Sequence, residues 1–224
     1  MQVIYEDNHI IIVNKEVGEI VQGDKTGDIP LSEIVKQWIK ETYAKPGNVF
    51  LGVVHRLDRP VAGLVVFAKT SKALTRLNEM FRNGEVNKTY WAISRNCPIP
   101  EEGLLAHYIT TVEATNKSTA HTTPKKNSKE ARLRYKLLAR SDRYNLIEVN
   151  LLTGRKHQIR VQLSAIGCPI KGDLKYGDKR SNPNGGISLL ARKIEFVHPV
   201  SKQTISVEAP LPTDDQLWQI LANE

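Results

Sequence analysis

The sequence predicts an α+β fold on a central mixed or antiparallel sheet flanked by helices and loops. Two observations carry this. Short β-rich apolar runs and amphipathic stretches are interspersed without strict strand–helix–strand alternation. The 224 residues hold no internal repeat, low-complexity tract or separating linker, so one domain over residues 1–224 is expected.

The elements follow in order. Val3–Tyr5 and Ile10–Val13 read as short strands joined at Glu6-Asp7-Asn8. Residues 31–44 place Leu31, Ile34, Val35, Trp38 and Ile39 at helical spacing, and Pro46-Gly47-Asn48 ends that element. Leu51–Val54 and Leu64–Ala68 are apolar enough to be buried strands around a polar loop. Residues 71–83 form a helix with Leu74, Leu77 and Phe81 on one face, Ser71 as its cap and Gly84 as its stop. Thr89–Ile93, Arg132–Leu138 and Leu146–Leu152 read as strands, and His157–Ile166 as a helix with Ile159, Leu163 and Ile166 inward. Residues 115–130 are polar and basic, an expected mobile excursion. A short helix is expected at Asp214–Leu221.

Composition excludes several classes. No apolar run approaches the roughly 18 residues of a membrane helix. The N-terminus lacks the basic-then-apolar pattern of a signal peptide. Cys97 and Cys168 are too few for a disulfide framework and have no metal-ligand spacing, so two reduced thiols in a cytoplasmic protein are expected. Net charge is +8, and it is clustered. Residues 115–143 carry nine Lys/Arg against Glu130 and Asp142, and residues 155–193 carry nine against Asp173 and Asp178. Each segment therefore nets +7, the footprint of a polyanion partner or else a solvated basic surface.

Three constellations could carry chemistry. In Val53-Val54-His55-Arg56-Leu57-Asp58-Arg59-Pro60, one acid sits among cations on a loop between buried strands. Nearby cations favour an ionised Asp58, which suits a nucleophile; a structural salt bridge explains the same spacing equally well. Thr153-Gly154-Arg155-Lys156-His157-Gln158-Ile159-Arg160-Val161 puts cations at a helix start, against the dipole, which suggests that they meet phosphate. Arg160 flanks the buried face there and could reach an acid from another segment. In Lys88-Thr89-Tyr90-Trp91-Ala92, Tyr90 and Trp91 point to opposite faces of a strand. A tyrosine can stack on a base, though a core tyrosine gives the same pattern.

Together these residues resemble the RluA-type pseudouridine synthases. His55-Arg56-Leu57-Asp58 followed by Gly63–Thr70 resembles the family's first signature. Tyr5-Glu6-Asp7 with Val13-Asn14-Lys15, Lys88–Ala92, Thr153–Val161 with Gly172-Asp173 and Tyr176-Gly177, His198-Pro199-Val200 and Ala209–Pro212 are similar to later family segments in the same order. Val61-Ala62 stands where many relatives have Thr-Ser, and the catalytic segment is expected to act without the separate N-terminal RNA-binding module that many relatives carry.

The resemblance implies a stand-alone catalytic domain with a basic cleft across its sheet, isomerising uridine to pseudouridine in tRNA or rRNA. It implies no cofactor and no metal, RNA as the partner, no obligatory protein partner, and a monomer. By resemblance, Asp58 is the catalytic aspartate and Arg160 the arginine paired with it. Tyr90 stacks on the target base and is implicated in proton removal at C5, and Arg56 fills the gap left when the base flips out. His55, Arg59, Lys125, Lys126, Lys129, Arg155, Lys156 and His157 are expected RNA contacts. Whether Asp58 attacks covalently or opens a glycal-like intermediate stays open at this point.

Three other functions compete. A non-catalytic RNA-binding protein shares the basic patches, but a decayed enzyme would be expected to have lost one of Asp58, Tyr90 and Arg160. A metal-dependent nuclease or deaminase needs clustered ligands that these segments lack. A nucleoside glycosidase needs a second well-placed acid.

Overall fold

The computed structural model describes residues 1–24 and 26–224. The chain forms two compact units, Met1–Asn87 with Lys193–Pro210, and Lys88–Arg192 with Leu211–Glu224.

In the first unit, β1 (Gln2–Glu6) and β2 (Ile10–Lys15) form an antiparallel hairpin. Asp7 makes the turn: its carboxylate accepts from the backbone N–H of His9 at 2.7 Å and of Ile10 at 2.9 Å. β2 pairs antiparallel with β4 (Ala62–Ala68), and β3 (Gly52–Val53) pairs with the end of β4. Ile10–Val13 and Val65–Ala68 are fully buried, which explains their unbroken apolar runs. Each large aliphatic or aromatic side chain among them contributes about 1.5–3 kcal/mol.

Helices α1 (Leu31–Thr42) and α2 (Ser71–Asn83) complete this unit. The Thr70 hydroxyl caps α2 by accepting from Ala73 N–H, so the cap lies one residue before the Ser71 expected from sequence. Gly84 closes the helix in the left-handed region at φ 75°, donating to Met80 O.

In the second unit the strand order is β5 (Asn87–Ser94), β9 (Asn145–Leu151), β8 (Lys129–Arg140), β6 (Glu102–Val112), β7 (Lys117–His121), with each neighbouring pair antiparallel. β8 alternates strictly at its centre: Ala131, Leu133 and Tyr135 are buried, while Arg132, Arg134 and Lys136 are exposed. Helices α3 (Gln158–Ala165) and α4 (Leu217–Ala222) belong to this unit, with α3 against β6 and β7 and α4 against β8 and β9. β10 (Leu189–Val197) ends in residues 193–197, which belong to the first unit and pair antiparallel with β11 (Thr204–Glu208).

Residues 115–130, read from the sequence as an exposed polar excursion, are mostly exposed and partly strand. They contain β7 and the start of β8, with Asn116 at φ 48° and Asn127 at φ 63° in the two turns. Asparagine tolerates that region better than most residues. β7 is polar because it lies at the end of the strand order and turns only Ser118 fully inward. Helix α3 starts at Gln158, one residue later than expected, and Ile166 is only half-buried.

Candidate active site

The Asp58 loop runs from the end of β3 to β4 and is fixed by buried polar contacts. Val61 N–H donates to Asp58 O at 3.0 Å and closes the turn, with Leu57 buried on one side and Arg56 exposed on the other. Lys15, at the end of β2, is wholly buried. Its Nζ donates to the carbonyls of Glu16 at 2.9 Å, Arg59 at 3.1 Å and Val61 at 2.7 Å. Three acceptors match the three protons of an ammonium. Burial pushes the Lys15 amine down to about 8, a fall that Glu19 and Asp58 oppose and Arg59 reinforces.

The flanking residues are tied down as well. His55 Nε2 accepts from Val66 N–H at 2.9 Å, and its ring stacks on Phe81 with centroids 4.8 Å apart. Arg59 donates through Nε to Gly18 O at 2.9 Å and pairs with Asp28, while Gly18 N–H returns to Arg59 O. His55 and Arg59 thus frame the loop, a role the sequence had not distinguished from RNA contact. Asp58 itself is half-buried.

In the second unit Tyr90 is buried on β5 opposite Val149, on the face that also carries Tyr135. Trp91 points to the opposite face, where the Arg192 guanidinium lies 4.9 Å from its ring centroid. The alternation expected from sequence is therefore present. Lys88, two residues before Tyr90, lies close to Gly154, where an added Cβ would stand 3.8 Å from its Nζ. Burial lowers the Lys88 pKa.

Arg160 lies on α3, whose residues Gln158–Leu163 are all buried. Its Nε and Nη2 donate to Asp173 at 2.7 and 2.9 Å, an ion pair buried on both sides. Tyr176 covers it, with the Arg160 Cζ 5.0 Å from the ring centroid. Arg160 does reach an acid from another segment, and Asp173 is such an acid. His157 caps α3 at φ 56°; it is buried, with Nδ1 2.7 Å from the Tyr176 hydroxyl. That places His157 inside the unit rather than on the exposed surface expected of an RNA contact.

The remaining cations are outward. Lys125, Lys126, Lys129, Arg155 and Lys156 are exposed; Arg155 Nε donates to Glu130 O, and Lys156 pairs with Glu113. Sequence reasoning missed the buried jobs of Lys15, Asp173 and Tyr176. Each stood in a family-like segment, but no local pattern marks a lysine or aspartate as buried. Among the described residues, no group of three or more His, Cys, Asp or Glu could hold a metal ion, and no helix is long and apolar enough to cross a membrane.

Residues 9–165 match the family described as RNA pseudouridylate synthase. The ribosomal large subunit pseudouridine synthase C of Vibrio cholerae is 31% identical over 220 residues, covering 93% of this chain. The chain spans 65% of the length of that relative. The tRNA pseudouridine synthase C of Vibrio vulnificus is 31% identical across 99% of this chain and 94% of its own. Among solved structures, human RNA pseudouridylate synthase domain containing 4 superposes with a TM-score of 0.80 at 25% identity, over 95% of this chain and 89% of that one. The match over residues 9–165 and the end-to-end match to the Vibrio vulnificus enzyme make this chain a member of the RNA pseudouridylate synthase family.

Proposed function

We propose that this protein isomerises specific uridines to pseudouridine in structured RNA, with Asp58 as the nucleophile. The observation that carries the proposal is an acid on a loop whose backbone is pinned by the buried Lys15 and framed by His55 and Arg59. A loop held this firmly presents a carboxylate in one geometry, which nucleophilic catalysis needs.

The reaction breaks the C1′–N1 bond and joins C1′ to C5. The proton at C5 is released and N1 gains one, so the product is an isomer of the substrate. Nothing is oxidised, and the proposed chemistry calls for no cofactor or metal. Flipping the base out of its stack costs a few kcal/mol, which stacking in the pocket offsets. Tyr90 is proposed to stack on the base and to assist proton removal, and Arg160 to orient the reacting carboxylate. Arg56 is proposed to fill the space left by the flipped base.

Lys125, Lys126, Lys129, Arg155 and Lys156 are proposed to meet phosphate, since their ammonium and guanidinium groups are exposed on β8, its preceding turn and the approach to α3. The names of the relatives favour tRNA or large-subunit ribosomal RNA as substrate. A monomer acting in the cytoplasm completes the proposal.

The test compares total RNA from cells lacking the protein with RNA from cells restored with wild type or with Asp58→Ala, mapping pseudouridine by chemical labelling and primer extension. A site that vanishes and returns only with wild type is the expected result, and it also identifies the target. Restoration by Asp58→Ala would remove Asp58 from the chemistry.

A further inference from the structure

Arg160 is held by two residues of a single turn. Asp173 immediately precedes a 3-10 turn, Leu174–Tyr176, and Tyr176 N–H donates back to Asp173 O at 3.1 Å. Gly177 ends the turn in the left-handed region at φ 112°. Asp173 grips the edge of the guanidinium with both oxygens, and the Tyr176 ring lies against its face. These two contacts fix the tilt and the rotation of the planar group, which neither would do alone.

The far end of Tyr176 reaches the β6–β7 hairpin. Its hydroxyl accepts from Ser118 N–H on β7 at 2.8 Å and stands 2.7 Å from His157 Nδ1. Burial raises the pKa of the phenol, so it keeps its proton at neutral pH. With Ser118 donating to the oxygen, that one proton is left for His157 Nδ1. Further ties join the same parts: Ser118 Oγ donates to Lys156 O at 3.0 Å, Lys175 Nζ to Asn116 O at 2.9 Å, and Lys156 pairs with Glu113 at 2.8 Å. Tyr176 also packs with Ile109 of β6, Ala131 of β8 and Val161 of α3, with Ala120 of β7 against them.

The exposed Lys117, Lys125 and Lys126 lie on β7 or in the turn that follows it. Lys117 shares β7 with Ser118, whose backbone N–H holds the Tyr176 hydroxyl.

We propose that Tyr176 is a positioning residue that couples the basic β6–β7 hairpin to Arg160, so that RNA docking on the hairpin also sets the guanidinium's orientation. The inference rests on the proposed role of Arg160 in the isomerisation. It assigns Tyr176 no contact with substrate and Asp173 the fixed half of the grip. The coupling passes through the hydroxyl, whereas the stacking passes through the ring, and the two can be separated.

The experiment measures single-turnover pseudouridine formation at saturating enzyme, on unmodified transcripts of tRNA and large-subunit ribosomal RNA, for wild type, Tyr176→Phe and Arg160→Lys. Tyr176→Phe keeps the ring on Arg160 and removes the link to Ser118 and His157. Its expected rate is lower by about ten- to a hundredfold. Its RNA affinity stays within about twofold, because the exposed cations are untouched. A purely structural role would lower thermal stability without lowering the rate of the molecules that remain folded. An unchanged rate in Tyr176→Phe beside a slowed Arg160→Lys overturns the coupling alone. A wild-type rate in Arg160→Lys overturns the reading of Arg160 on which it depends.

Should Tyr176→Phe not fold, the Arg160 Nε–H resonance of the wild-type protein, recorded in nitrogen-15 spectra with and without the tRNA transcript, decides the matter. Slower solvent exchange of that proton on adding RNA supports the coupling, and an unchanged exchange rate overturns it.

Discussion

The Nζ of Lys15 donates to the carbonyl of Val61 at 2.7 Å, three residues past Asp58, and so links the end of β2 to the loop that carries the acid. A cation buried this deeply has a cost that depends on pH. In the folded protein Lys15 releases its proton near pH 8; in the unfolded chain it keeps it to its ordinary value of 10.5. Between those limits the unfolded state binds more protons, so this group's contribution to stability rises with pH. Relative to Lys15→Met, the wild type is expected to gain up to about 3 kcal/mol across that window. Urea unfolding of both proteins at pH 7.5, 9 and 10.5 checks this, and a difference that stays flat or falls contradicts it.

The Arg160–Asp173 pair is buried on both sides. Asp173→Asn keeps the shape but removes the buried carboxylate that both Nε and Nη2 of Arg160 grip. A loss of about 3–5 kcal/mol is expected. Chemical denaturation followed by circular dichroism reads it directly, and an unchanged midpoint would show that the pair carries no stability.

Gly172 sits at φ 89°, and a Cβ there would stand 2.7 Å from Asn182 Nδ2 and 2.8 Å from Gly186 O. Gly185, at φ 72°, has open space around it. Both alanine variants bear the left-handed strain of about 1–2 kcal/mol, but only Gly172→Ala adds a clash with backbone. Gly172→Ala is expected to lose at least about 1 kcal/mol more than Gly185→Ala. Equal losses in thermal unfolding would mean that the loop moves freely out of the way.

Replacing Lys125, Lys126 and Lys129 together with alanine is expected to weaken RNA binding and flatten its salt dependence. Each lost phosphate contact removes about 0.7–0.9 from the slope of log K against log salt. Filter binding from 50 to 300 mM salt measures the slope, and an unaltered slope would take these lysines out of the interface.

Legibility of the fold in the sequence tracked how local the determining physics was. Helix α2 is legible at its observed bounds because its apolar spacing and the Gly84 stop are local signals, although its cap is Thr70 rather than Ser71. β7 was missed because Lys-Ser-Thr-Ala-His carries no apolar alternation; its strand state comes from pairing with β6. His157 looked like a surface cation beside Arg155 and Lys156, yet its ring is drawn inward by a tyrosine nineteen residues away. Asp173 stands in a family-like segment and offsets a basic one, but nothing local pairs it with Arg160, thirteen residues earlier in the chain. The motif residues were legible as a set; the buried contacts that hold Arg160 and the Asp58 loop were not, since each joins segments distant in sequence.

The most direct test of the central claim uses RNA transcribed with tritium at C5 of uridine. Joining C1′ to C5 expels that tritium into water. Wild-type protein is expected to release it from tRNA or large-subunit ribosomal RNA transcripts, and Asp58→Asn is expected to bind the same RNA while releasing none above background. Release by Asp58→Asn at a rate near that of wild type would contradict the assignment of Asp58 as the nucleophile.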